Sequence, residues 1–385
     1  MVVPISLLAL VLLLLLFEAV VVRRQVDRLA VRVHVNGTRG KSSVTRYIAA
    51  GMRAAGKRTM AKVTGVKPTL IHVDGSATLL TRRGGARVQE QIRIIHRSAA
   101  ETADCLVLEC MSIRPDLQQF EGRAFRPHLY LMTNILDDHQ EELGSAQSTQ
   151  IDALCNAMAK DATVITSPGS HLKRLQEVAA KKGNPVLVTN ALTTAQRQQI
   201  PEGVFETNIA LALTACVVSG VDSSVAWPAI LDEATRLRNS AETVSGSKFR
   251  FVNGFAVNDV PSAEKFIAHW QQFSTASSRL VVIFNARADR PLRSVSFAKY
   301  LPTLPNLFKV VVIGTHAPYM LRALAKSGYP KERIHHWSRT QVQNARAELE
   351  QMGVASGDLV MGLGNIGGDG HLVAASLEEG VFHVV

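Results

Sequence analysis

Residues Val33–Arg46 read VHVNGTRGKSSVTR, with glycines at Gly37 and Gly40 and a lysine at Lys41. The run LAVRVHV before the loop reads as a short strand, and SSVTRYIAAGMRAAG after it reads as a helix ending at Gly56. Strand, glycine loop, helix is the context in which backbone N–H groups and a helix N-terminus face an anion. The widespread phosphate loop is spaced G-x-x-x-x-G-K-[ST]. Its first glycine would fall at position 35, which is Val35. Here two residues separate Gly37 from Gly40, so this is a phosphate loop of shorter spacing. Lys41 is placed to neutralise β- and γ-phosphates, and the hydroxyl of Ser42 or Ser43 to reach a magnesium ion.

Two more apolar runs end in polar residues. DCLVLECMS carries Glu109, and PHLYLMTNILDDHQEELG carries Asn134, Asp137, Asp138 and His139. In an open parallel sheet, ligand groups collect at the carboxyl ends of strands. Taken singly, a residue such as Glu109 is more often a solvated loop acid, and one such as His139 a satisfied surface histidine. Together, downstream of a phosphate loop, they read as groups that share magnesium with nucleotide phosphates.

The first 24 residues, MVVPISLLALVLLLLLFEAVVVRR, are almost wholly apolar as far as Val22. About 20 such residues cross a bilayer as a helix. Arg23, Arg24, Arg28 and Arg32 follow and no charge precedes, which orients the rest of the chain to the cytoplasm. A cleaved signal peptide would need a positive start and a small-residue cleavage site, and both are missing.

The chain has 385 residues and a net charge of +11, which suits an anchor plus two soluble domains and an anionic partner. Aromatics are 5% and no basic run is interleaved with them, which argues against nucleic acid. Cys105, Cys110, Cys155 and Cys216 form no C-x-x-C pair and read as buried, reduced thiols.

TVITSP and PVLVTN read as further strands, and ETNIALALTACVVSGV as a helix with Asn208 near its start. NSAETVSGSKFR is polar and reads as a linker. Strand-like and helix-like runs then alternate to the end, implying a second, largely parallel α/β domain. Its loops NGFAVND, NARADR, GTHAP and GLGNIGG all follow strand-like runs and should gather on one edge. The expected domains are residues 1–24, 25–245 and 246–385.

NGTRGKS, a strand ending ECMS, and TNILDDHQEELG together resemble the ATP-binding domain of the Mur ligase superfamily. Within it, the chain most resembles the ligase subunit of poly-γ-glutamate synthase, the PgsB/CapB family. The similarity continues through FVNGFAVNDVPSAEKF, NARADR and GLGNIGG, nearly the whole chain. The resemblance implies an α/β fold: a transmembrane helix, a P-loop-type Mur-ligase-like ATP-binding domain, and a smaller Rossmann-like C-terminal domain. It implies ATP and Mg2+, a growing acidic polymer of glutamate, further membrane subunits, and an oligomer.

By that resemblance, Lys41, Glu109 and His139 are catalytic, and Ser42, Glu109 and His139 hold metal. Asn36, Gly37, Thr38, Arg39, Gly40, Lys41, Ser42, Ser43, Asn208, Asn253, Asn258, Asp259 and Arg287 hold nucleotide, with Asp289 and Arg290 beside the last. For Asn208 a helix N-terminal cap is an equally good physical reading. Arg39 and Arg46 are candidates for the acidic acceptor. The family stretch K-T-T-G-T-x-A-R is altered here to AKVTGVKPTL, keeping Lys62, Thr64 and Gly65, and is a candidate for contact with the acidic substrate. No residue matches the carbamoylated lysine of many Mur ligases.

The dozen or so residues between Arg24 and Gly37 leave no room for the nucleotide-sugar domain of the cell-wall ligases. Folylpolyglutamate-type ligases lack that domain too and remain an alternative, as does a membrane-anchored scaffold that binds ATP without ligating.

Overall fold

The computed structural model describes residues 2–64, 68–82, 86–135, 147–169, 171–241, 249–257, 259–272 and 278–378. The chain forms two compact units, Met1–Thr235 and Arg236–Val385.

The first unit opens with helix α1 (Val2–Asp27), followed by β1 (Val31–Asn36), α2 (Lys41–Ala54) and β2 (Thr59–Val63). A short antiparallel pair, β3 (Thr69–Ile71) and β4 (Ala77–Leu79), comes next. Then follow α3 (Gln89–Ala100), β5 (Cys105–Glu109), α4 (Pro115–Phe125) and β6 (Leu129–Met132). The unit continues with α5 (Gln147–Leu154), β7 (Thr163–Thr166), α6 (Leu172–Ala180), β8 (Val186–Val188), α7 (Thr194–Gln199) and α8 (Glu206–Val218), and its boundary at Thr235 falls within α9 (Ser223–Ala241). The stretch expected as linker from Asn239 is thus helical to Ala241, and residues 242–248 lie outside the described residues.

The strands form one eight-stranded sheet in the order β4-β3-β2-β5-β1-β6-β7-β8. All pairs are parallel except those of β3 with β2 and β4. The central strands β1, β2, β5 and β6 are buried along most of their length; β5 and β6 are apolar runs, whereas β1 and β2 also bury Arg32, His34, Asn36, Thr59 and Lys62. The chain winds from β1 to one side and later to the other, so the loop after β1 sits where strand order reverses. That is the place where an open α/β sheet leaves a crevice.

Leu10–Phe17 of α1 are exposed, whereas Val22 and Val26, with Leu29, are buried against Ile94, Ile95 and Phe125. Each such buried side chain contributes roughly 1.5–3 kcal/mol at most, so the last turns of α1 belong to the domain. Among the described residues no helix is long and apolar enough to cross a membrane. Part of the segment expected to do so, the side chains of residues 1–5 and Leu8, lies outside the described residues.

The second unit has β9 (Phe249–Asn253), α10 (Val260–Gln271), β10 (Leu280–Asn285), α11 (Pro291–Tyr300), β11 (Leu307–Ile313) and α12 (Ala317–Lys326). It continues with β12 (Ile334–His336), α13 (Arg339–Gln343), α14 (Ala345–Gln351), β13 (Asp358–Leu363) and α15 (Asp369–Glu378). Its sheet, β12-β11-β10-β13-β9, is parallel throughout. Ile267, Phe297 and Met320 cover one face, and Val342, Leu349 and Val373 the other. The expected gathering of loops on one edge follows from this topology.

All four cysteines are buried free thiols. Burial pushes Cys105, Cys155 and Cys216 up to about 12 and Cys110 well above its usual value, so none is poised as a nucleophile.

Candidate nucleotide and metal site

Register brings three strand ends together in the first unit. Val35 of β1 lies opposite Glu109 of β5, and Asn36 opposite Met132 of β6. The loop after β1 is therefore flanked by Glu109 on one side and by Thr133 and Asn134 on the other. Asn134 Oδ1 accepts from Thr38 Oγ1 at 2.8 Å and from the Arg39 N–H at 3.0 Å. Thr133 Oγ1 donates to the Arg39 carbonyl at 2.6 Å, and the Thr38 N–H to the Asn134 carbonyl at 3.0 Å. Asn36 anchors the loop from beneath. Its Oδ1 accepts from the Gly37 N–H at 2.8 Å, and its amide reaches Gln118 and Tyr130 at 2.9 Å each.

The glycines are required by conformation and by space. Gly37 has φ 126° and Gly40 φ 79°, where other residues are strained. A Cβ at Gly37 would collide with Thr133, and one at Gly40 would stand 2.6 Å from Asn208 Oδ1. Helix α2 starts at Lys41 with no side-chain cap and no acid in its first turn. Its N-terminus is left for an anion. The Lys41 ammonium folds over the loop and donates to the Gly37 carbonyl at 2.6 Å.

Ser42 Oγ donates to Glu109 Oε2 at 2.8 Å, and the Thr64 N–H donates to the same oxygen at 2.8 Å. A hydroxyl and a carboxylate in contact beside a lysine and a helix N-terminus are the hard oxygen ligands that magnesium takes next to phosphate. The residues present thus fit both groups. His139 and Asn258, expected at the site, lie outside the described residues.

Asn208 is the third residue of α8, and the N-cap position belongs to Phe205. The capping alternative is therefore excluded, and Asn208 is buried against the phosphate loop. Arg39 Nη1 lies 3.4 Å from the Thr38 carbonyl. Arg46, considered for the acceptor, instead lies 3.8 Å from Glu233 on α9, one helical turn or more beyond the loop.

Lys62 also departs from expectation. It is fully buried, with its Nζ 2.7 Å from Glu90 and 3.0 Å from Gln91 Oε1, so it does not face substrate. Burial pushes its pKa down, and Glu90 only partly restores it. Burial likewise pushes Glu90 up, but Arg82 and Lys62 outweigh this and hold it at about 2. Gly65 of the same stretch lies outside the described residues.

Sequence reasoning missed what Lys62 belongs to. Gln91 Nε2 donates to the Glu109 carbonyl at 3.1 Å and to Glu121 Oε2 at 2.8 Å. Glu121 in turn accepts from the Ser112 N–H at 2.8 Å and stands 3.3 Å from His34 Nε2. These groups buttress the strand that ends in Glu109. Glu121 and Gln91 lie on amphipathic helices, where an acid or amide normally faces water, so their spacing held no signal.

In the second unit, Asn253 ends β9 and Asp259 caps α10, accepting from the Ser262 N–H at 2.9 Å. Arg287 forms a fork with Asp289 at 2.8 Å on both arms and reaches Asn365 Oδ1 at 3.2 Å. Arg290 is the residue before α11. Asn285, also missed, is buried and donates to the carbonyls of Asn365 and Gly367 at 2.6 and 2.8 Å, fastening the GLGNIGG loop to β10.

A family model for the Mur ligase middle domain matches residues 35–223, and one for the poly-gamma-glutamate synthase CapB C-terminal domain matches residues 239–380. Capsule biosynthesis protein CapB of Bacillus anthracis is 27% identical over 360 residues, covering 90% of this chain and 76% of its own. PGA synthase CapB of Bacillus subtilis strain 168 is 23% identical over 365 residues, covering 93% and 92%. A bifunctional folylpolyglutamate synthase/dihydrofolate synthase of Yersinia pestis, solved with AMPPNP and a manganese ion, is similar in fold. Its TM-score is 0.65 at 15% identity, with 93% of this chain and 92% of that one covered.

Proposed function

As a Mur ligase superfamily member with a CapB-type C-terminal domain, the chain is an ATP-dependent ligase, and we propose that it joins glutamate to glutamate through the γ-carboxylate. The observation that carries the reading is the meeting of Lys41, Ser42 and Glu109 at adjacent strand ends.

A carboxylate is a poor acyl donor at neutral pH because oxide is a poor leaving group. In the proposed reaction a γ-carboxylate oxygen attacks the γ-phosphorus of ATP, the bond to the β-phosphate oxygen breaks, and ADP leaves. The amine of the next glutamate then attacks the acyl carbon, loses a proton, and expels inorganic phosphate. The first step spreads charge over phosphoryl oxygens, so catalysis is mainly positioning and electrostatics. Lys41 and the N–H groups at the start of α2 hold the phosphates. Ser42 and Glu109 hold magnesium, with His139 as a further ligand. When bound, that ion neutralises phosphate charge. Asn208 meets the nucleotide beside Gly40.

The apolar run from Met1 to Val22 is the proposed single-pass membrane anchor, with both catalytic units on the cytoplasmic side. One helix is too little to pass a polymer, so the proposal includes further membrane subunits and an oligomer. The fold likeness to folylpolyglutamate synthase favours, as a second reading, a folate-like acceptor.

The test supplies detergent-solubilised protein and its membrane partners with ATP, magnesium and L- or D-glutamate. ADP release and γ-linked product are followed by mass spectrometry. Glutamate-dependent ADP release with oligomeric product is expected, falling about 10²- to 10³-fold in Lys41→Ala and strongly in Glu109→Gln. ADP release indifferent to glutamate sinks this substrate, and stimulation by a folate instead installs the second reading.

A further inference from the structure

The edge of the first sheet opposite the phosphate loop is also built. Beside the amino ends of β1, β6 and β7 lies a cavity of 840 Å³. Its lining includes Arg32, Arg123, Arg126, Lys160, Lys181 and Lys182, against a single acid, Asp161. An ordinary solvated face mixes charge of both signs more evenly than six cations to one acid.

Arg32 is only 7% exposed. Its Nε donates to the Arg126 carbonyl at 2.8 Å, and its Nη1 to the carbonyls of Val26 and Leu29 at 3.1 and 3.0 Å. Nη2 takes part in none of these bonds. Carbonyls orient the guanidinium without neutralising it. The nearby carboxylate of Asp27 is bonded to Arg126 Nη1 at 2.7 Å. Lys182 is held the same way, its Nζ donating to the carbonyls of Cys155 and Met158 at 2.9 and 2.8 Å. Burial, together with neighbouring cations, depresses the pKa of Arg32 and Lys182. Such a cluster stores positive potential that an anion relieves.

The position narrows the choice of anion. Val26 and Leu29, which hold Arg32, are at the end of α1. From Val20, the last exposed apolar residue of that helix, to Val26 is about 9 Å along the axis. A headgroup layer is roughly 5–8 Å thick. The phosphate loop lies on the other edge, about 20 Å away along a six-residue strand, which separates this cavity from the proposed ligation site.

We infer that this cavity holds the phosphate headgroup of an anionic membrane lipid, seating the ligase on the bilayer with its phosphate loop on the far side. The inference rests on the anchor reading of α1 for the source of the phosphate, and its test does not depend on insertion. Full-length protein in neutral detergent micelles is titrated with dihexanoyl phosphatidylglycerol, dihexanoyl phosphatidylcholine, glycerol 1-phosphate and inorganic phosphate, and bound adducts are counted by native mass spectrometry. The phosphatidylglycerol adduct should dominate. It should weaken about tenfold or more in Arg123→Gln/Lys181→Gln, whose side chains are exposed and whose loss spares the core. Arg32→Gln should abolish it, and the exposed pair keeps the test valid if Arg32→Gln fails to fold. Equal binding of glycerol 1-phosphate overturns the lipid in favour of a soluble phosphate ester. No adduct, or one indifferent to the double variant, overturns the site. Carbonate extraction of cell membranes tests the anchor separately: release of the protein would end that reading while leaving the micelle result to stand by itself.

Discussion

Behind the phosphate loop of the first sheet runs a ladder of buried charge; the glycine loop of the second sheet is held by the buried amide of Asn285 and by the guanidiniums of Arg287 and Arg293. Arg82, Glu90, Lys62, Gln91, Glu121 and His34 follow one another from the surface to the underside of β1. Asn285 does its fastening with two neutral hydrogen bonds. The second sheet does own a buried carboxylate, Asp358, paired with Arg279 at 2.6 Å, but at its amino edge. The difference tracks what each loop edge must face. Glu109 is a carboxylate 3% exposed beside the proposed site for phosphates and a cation, where a shift of its strand end would misplace it. A connected polar network gives that rigidity at the cost of desolvating its charges. Among the described residues the glycine loop borders no buried carboxylate at that edge, and hydrogen bonds to its carbonyls and to Asn365 hold it.

The sharpest way to break this comparison is to break the ladder. Lys62→Met leaves Glu90 with Arg82 alone and Gln91 without its donor, and should cost about 3 kcal/mol. The double variant Lys62→Met/Glu90→Leu should lose less than the sum of the single ones in thermal or urea unfolding. Additive losses would mean that the pair is not coupled.

Acid probes the same ladder with a similar or smaller effect. Glu90 is held at about 2, below its ordinary 4.5. Its contribution is therefore complete above about pH 4.5 and fades as pH falls towards 2, up to about 3 kcal/mol in all. Urea unfolding at pH 5 and pH 3 should show wild type losing more stability than Glu90→Gln. Equal losses would place the acid-sensitive group elsewhere.

The smallest effect is expected on the second sheet. Asn285→Ala leaves two carbonyls unmet and should cost about 1–3 kcal/mol, with nucleotide binding by the first unit's loop unchanged. A loss as large as that of Lys62→Met would erase the distinction between the two loop edges.

Much of the architecture was legible because its signals are local. Strand-like runs marked β1, β5, β6 and, in the second sheet, β9, β10, β11 and β13 but not the three-residue β12, and the glycines marked the turn after β1. The antiparallel strands β3 and β4, three residues each, were too short to carry a period. Asn208 shows the limit at a single residue: its neighbourhood in sequence suited a cap, and only the packing of α8 against Gly40 decided otherwise.

By itself the amino-acid sequence determined the phosphate loop, its shortened spacing, the carboxylate-tipped strand at Glu109 and the alternation that builds two parallel sheets. These depend on neighbours along the chain, where backbone conformation and hydrophobic period act. Tertiary structure decided that Lys62 is a buttress, that Arg46 turns to Glu233, that Asn285 clasps a loop, and that six cations share one cavity at the amino edge. Those outcomes depend on strand order. β5 inserts between β1 and β2, and β6 and β7 line up on the other side, so residues some 30 to 150 positions apart become neighbours across a few ångströms.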